Sequence, residues 1–200
     1  MWALIEDGSI TKIINNPRGM IIDDIQYSRK IFSLWSVAEK EAKGIYEVVF
    51  NNTKKKDGEY YNNTNQTFTY DADAGTVTAT YGDATAKAHA DTLFTSDDED
   101  NGLGTEGEVK VEGLKTRKIR TIKKQAAGEL ARTDWYIVRK ADADTAVPSA
   151  ITNHRAAVRT KSAQMETAIT NASNTAAIET LYTRDADGVR PLGDLPELEV

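Results

Sequence analysis

Cysteine is absent from all 200 residues. That excludes disulfides, thiolate nucleophiles and cysteine metal sites together, and leaves packing as the source of stability. A chain without cysteine suits a reducing compartment. Histidine is scarce: only His89 and His154 occur, far apart in the chain. Neither has the nearby histidine or cysteine that a zinc site needs. No run of about 18 apolar residues occurs, so no transmembrane helix is expected. The N-terminal MWALIEDGSI carries acid where a secretory signal carries base and then a long apolar stretch. Export by that route is therefore not expected. A nucleophile elbow is missing, and Gly102-Leu103-Gly104-Thr105 lacks the Lys-Ser/Thr that completes a phosphate loop. With no paired acid and base either, the chain is expected to be no enzyme and to need no cofactor or metal.

Charge is unevenly spread behind a net of -6. Residues 95–108 hold Asp97, Asp98, Glu99, Asp100, Glu106 and Glu108 and no base. Residues 109–162 hold thirteen Lys/Arg against five Asp/Glu, a net of +8. Residues 183–200 return to -3. Sign changes this sharp mark boundaries. The expected division is a β domain over 1–94, an acidic Gly-rich linker over 95–108, a helical module over 109–182 and an extended tail over 183–200.

Residues 1–94 read as antiparallel β structure. Trp2–Ile5 and Ile10–Ile14 flank Asp7-Gly8, a pair that supplies the positive φ angles of a tight hairpin turn. Met20–Tyr27 forms a second short hairpin around Asp23-Asp24. Ser36 with Glu39 three residues on is a capping box, and Gly44 stands where a left-handed helix end belongs. Ile45–Phe50 is a strand by its β-branched and aromatic content. Residues 51–66 read as a polar loop. Thr67–Tyr70 and Thr76–Tyr81 alternate across Ala74-Gly75, which implies one buried and one wet face. The segment 84–94 reads neither way.

Residues 109–182 read as helices. Ile119, Ile122, Ala126 and Leu130 fall at helix spacing. Thr133-Asp134-Trp135 reads as a stop, at which Thr133 or Asp134 caps or turns the chain, and Pro148 is placed for the first turn of the next helix. There Ile151, Val158, Met165 and Ala172 recur every seven residues, with Ser162 and Ile169 beside them. That is one stripe of a packed helical hairpin. A short helix near Thr175–Leu181 follows. The fold class is therefore α+β: a small antiparallel β domain, then a helical hairpin module.

One block resembles a known family. Leu130, Thr133, Asp134 and Trp135, then Pro148, then His154, Arg155, Val158 and Arg159 resemble the C-terminal segment of the tail assembly chaperone-like proteins of tailed bacteriophages. That family's usual tyrosine before the first arginine is His154 here. The match covers about a quarter of the chain. Ile31-Phe32-Ser33-Leu34-Trp35-Ser36, running into Gly44-Ile45-Tyr46, also looks like the N-termini of tail-fibre-associated proteins. The resemblance implies a structural or adaptor protein of a phage tail or tail fibre, or a transient assembly chaperone. Its partners would be tail or tail-fibre proteins and further copies of the chain. Its place would be the virion tail, or the host cytoplasm during assembly.

The residues expected to meet a partner are Trp35, Trp135, Arg155 and Arg159. Each has a structural reading beside it. A tryptophan at a helix junction ordinarily plugs the gap between helices, although tryptophan also dominates interface hot spots. Arg155 and Arg159 share a helix face; they pair with Asp134 and Asp142 inside the module, or with a partner's carboxylates. Leu114–Lys124 is a basic amphipathic helix, which suits nucleic acid, an anionic membrane surface or an acidic partner. It lacks the interleaved aromatics that stack on bases, so a solvated face is the simpler account.

Overall fold

The computed structural model describes residues 1–198. The chain divides into two compact units, Met1–Thr85 and Ala86 onward. The fold class is α+β, as expected.

The first unit is built on a five-stranded sheet whose strands run, from edge to edge, Ser9–Ile14, Trp2–Glu6, Ile45–Asn51, Thr76–Tyr81 and Gln66–Asp71. β1 (Trp2–Glu6) and β2 (Ser9–Ile14) form the expected hairpin. Asp7 and Gly8 both take positive φ, at 50° and 74°, which matches the twist of the flanking strands. β3 (Met20–Ile22) and β4 (Ile25–Tyr27) pair as the second hairpin. Asp23 and Asp24 turn it at φ 49° and 60°. Two short helices follow, α1 (Ile31–Leu34) and α2 (Val37–Glu41). The capping box on α2 is complete: Glu39 N donates to Ser36 Oγ at 3.2 Å and Ser36 N to Glu39 Oε2 at 2.7 Å.

β5 (Ile45–Asn51) lies antiparallel to β1 and parallel to β8 (Thr76–Tyr81), which pairs antiparallel with β7 (Gln66–Asp71). The sheet curls until its edge strands β2 and β7 come near each other. One face packs Leu4, Ile14 and Ile45 under Met20, Ile22, Ile31 and Phe32. The other holds Ala3, Val48, Val77 and Ala79. Gly44 has no substitute here. Its φ is +72°, and a side chain on it would overlap the carbonyl oxygen of Ile5, whose N–H donates to Gly44 O at 2.8 Å. The stretch read as a polar loop contains buried Tyr60 and Tyr61, and β6 (Tyr61–Asn62) pairs with β9 (Thr85–Ala86).

The second unit begins with the segment that sequence left undecided. β10 (Thr92–Leu93) pairs with β11 (Val109–Val111). Between them the acidic stretch is no linker. Residues 95–108 belong to the second unit and include α3 (Ser96–Asp100). A second capping box, Thr95 with Asp98, starts that helix. Lys110 Nζ donates to Asp98 Oδ1 at 2.6 Å. This cation and two bonds with Thr95 hold the Asp98 carboxyl down to about 2.

α4 (Leu114–Ala131) packs on α6 (Ser149–Asn171), with α7 (Thr175–Tyr182) against both. The N-terminus of α4 is capped from a distance. Asp91 accepts from Gly113 N at 2.7 Å and from Thr116 Oγ1 at 2.7 Å. These bonds lower the Asp91 pKa, Thr116 contributing most. The buried stripe of α4 is Leu114, Lys118, Ile122 and Ala126, one position from the expected stripe at its start. Lys118 takes the inward place because its ammonium lies 4.1 Å from the centre of the Tyr182 ring, where its stem fills apolar space. On α6 the seven-residue stripe holds: Ile151, Val158, Met165 and, at the cap, Ala172 are buried. Pro148 is the cap of α6 rather than its first residue. After Thr183 the chain has no regular element up to residue 198, but Leu192 is buried with Ile122, Met165 and Ile169.

Candidate protein-interaction site

Trp35 is half-buried in the first unit. Its ring meets Tyr27 edge-on at 5.2 Å, and its carbonyl accepts from Lys40 Nζ at 2.7 Å. Lys40 is itself buried, with its ammonium 4.7 Å from the Trp2 ring. Trp35 thus packs on the core formed by Leu4, Phe32 and Ile45.

The other three residues lie in the second unit, and they part company. Arg155 is buried, at 8% exposure. Its Nη1 donates to Leu130 O at 2.7 Å and to Thr133 Oγ1 at 2.8 Å, and lies 2.8 Å from Asp134 Oδ1 as an ion pair. It fastens α6 to the end of α4, so it is not free for a partner. Arg159, one turn on, is exposed and has no hydrogen-bond partner among the described residues. His154 and Val158 of the same block face inward.

Trp135 is no plug. The chain does not stop at Thr133-Asp134: α5 (Asp134–Ala143) begins there. Thr133 Oγ1 donates back to Leu130 O at 3.0 Å and accepts from Arg155, so it serves the junction and not the cap of α5. α5 is ten residues long and buries none of them. Trp135 is 51% exposed, Ile137 43% and Val138 65%. The Trp135 and Tyr136 rings stack at 3.8 Å between centres, and the Arg139 guanidinium lies 4.8 Å from the Trp135 ring centre. That cation orders the aromatic pair without covering it. Tyr136, Val138 and Arg139 are site residues that sequence reasoning passed over. The signal was the run Trp135-Tyr136-Ile137-Val138, which a stop at Asp134 leaves without a helix to sit on.

The basic face of α4 is mostly engaged inside the unit. Lys115 Nζ donates to Thr170 O at 2.7 Å, Lys118 is buried, Arg120 pairs with Glu112, and Lys123 lies 3.5 Å from Glu166. Among the described residues no group of three His, Cys, Asp or Glu is placed to hold a metal ion, and no helix is long and apolar enough to cross a membrane.

Comparison with protein-family models, with curated proteins and with solved structures gives no match.

Proposed function

We propose that this protein is a non-enzymatic component or adaptor of a bacteriophage tail or tail fibre, working through protein–protein contacts. One observation carries the contact part of this reading. α5 sets Trp135, Ile137 and Val138 in solvent and buries nothing of its own. Apolar side chains held on such a helix add little to the stability of the monomer and suit a partner's surface. The phage part rests on the resemblance of the Leu130–Arg159 block. The partners proposed are tail or tail-fibre proteins and other copies of the chain.

The experiment is mass spectrometry with cross-linking on purified particles, run beside pull-downs from infected lysate. A fixed stoichiometry in the tail, with cross-links involving α5, supports a resident component. Absence from particles with capture of tail or fibre subunits turns the reading to a transient assembly chaperone. Absence from both ends the phage reading. Nucleic acid is the reading from a different class, and the engaged cations of α4 weigh against it. DNA binding that falls steeply with salt would restore it.

A further inference from the structure

The charged residues of α5 sort into two kinds. Asp134 pairs with Arg155, and Lys140 with Asp144. Arg139 and Asp142 make no ion pair among the described residues, although they stand three apart on one helix. With Trp135 and Val138 they form an i, i+3, i+4, i+7 stripe. All four side chains are exposed. The stripe therefore offers one large ring, one small apolar side chain, one unmatched cation and one unmatched anion.

That set is self-complementary. In an antiparallel pairing of two such helices centred between Val138 and Arg139, position 135 of one falls opposite position 142 of the other. The Arg139 guanidinium already lies back over the Trp135 ring. Trp135 with its stacked guanidinium would therefore meet the other copy's Asp142, and the two-fold axis would repeat the contact. Val138 of each copy would fall opposite position 139 of the other, which sets the two valines side by side next to the axis. We propose that this stripe of α5 holds a second copy of the chain, in an antiparallel pair with Arg139 of each copy facing Asp142 of the other.

The inference rests on the reading that the protein works through protein contacts, and it names the partner and the register. A ten-residue helix is about 15 Å long. Its face is smaller than the roughly 800 Å² per partner of a standard interface. The pair is therefore weak alone and gains from any array that presents several copies at once.

Sedimentation equilibrium of the full chain, from micromolar to millimolar concentration, is the test. None of the four side chains is buried, so the variants keep the fold. The wild type should associate to dimers as concentration rises, and Val138→Asp should remain monomeric. Arg139→Asp or Asp142→Arg alone should weaken association by about tenfold, since each reversal replaces two attractions with two repulsions. An equimolar mixture of the two single variants should restore it, because each then supplies the charge the other lost. A wild type that is monomeric throughout, or an association indifferent to all three substitutions, overturns the proposal. Particle mass spectrometry reads a different quantity. Self-association through α5 in a chain absent from particles and tail pull-downs would sink the phage reading and leave this one standing.

Discussion

Arg155 Nη1 lies 2.8 Å from Thr133 Oγ1, and both residues are buried. This contact and the bond to Leu130 O matter more than the ion pair with Asp134, whose side chain is 58% exposed. Arg155→Ala should cost about 2–4 kcal/mol, because it leaves the hydroxyl and carbonyl without their charged donor. Arg155→Lys should recover part of it, since all three contacts come from the one nitrogen Nη1, which a lysine ammonium can stand in for. Asp134→Ala should cost under about 1 kcal/mol. Urea denaturation of the three variants checks the order.

Trp135→Ala should lower stability by no more than about 1 kcal/mol, the range for surface positions. A core tryptophan would cost about 3–5 kcal/mol. Thermal unfolding distinguishes the two. A loss in the larger range would mean that α5 is covered in the free protein, against its exposure.

Two glycines should respond oppositely to alanine. A side chain on Gly113 would overlap the carbonyl group of Ala90, so Gly113→Ala should cost at least about 2 kcal/mol by overpacking. Gly128 has nothing within 4 Å and sits inside α4. Gly128→Ala should stabilise by about 0.5–1 kcal/mol. Denaturation midpoints at unchanged m-value are the readout.

Asp98 makes a pH test of the acidic segment. Its folded carboxyl titrates at about 2 against an ordinary 3.8. A lowered value means that the stabilisation is complete above the ordinary range and is lost as the pH falls from about 3.8 to about 2. Amide protection across α3, taken relative to the intrinsic exchange rate at each pH, should fall over that window, while Asp98→Asn should already show reduced protection at neutral pH. Protection that is unchanged down to about pH 2 in the wild type would show that Lys110 and Thr95 do not hold this carboxylate.

What could be read from the sequence was local. Asp7-Gly8 turns its hairpin and Ser36 with Glu39 caps its helix because each signal is spent within four residues. The stripe Ile151-Val158-Met165 was legible for the same reason, one helix with one period. Three features were not. Thr95-Ser96-Asp97-Asp98 reads as a solvated linker until Lys110, twelve residues on, neutralises Asp98. Lys118 reads as a surface cation until Tyr182 stands beneath it. Thr133-Asp134 reads as a stop until Arg155, on another helix, takes up the hydroxyl. Each depends on a partner distant in sequence; of the residues expected to meet a partner, Arg155 is engaged inside the unit, while Trp135 and Arg159 stand exposed.

The parallel pairing of β5 with β8 sets an order of events during synthesis. The hairpins β1–β2 and β7–β8 can close as soon as each turn emerges, on a timescale of microseconds. Val48 and Val77, which share one side of the curled sheet, meet only after the ribosome has released β8. A nascent chain paused after Asn51 carries β5 with one open edge and Val48 uncovered. That interval, before Tyr81 is free, is when the polypeptide is most open to pairing with a neighbouring nascent chain.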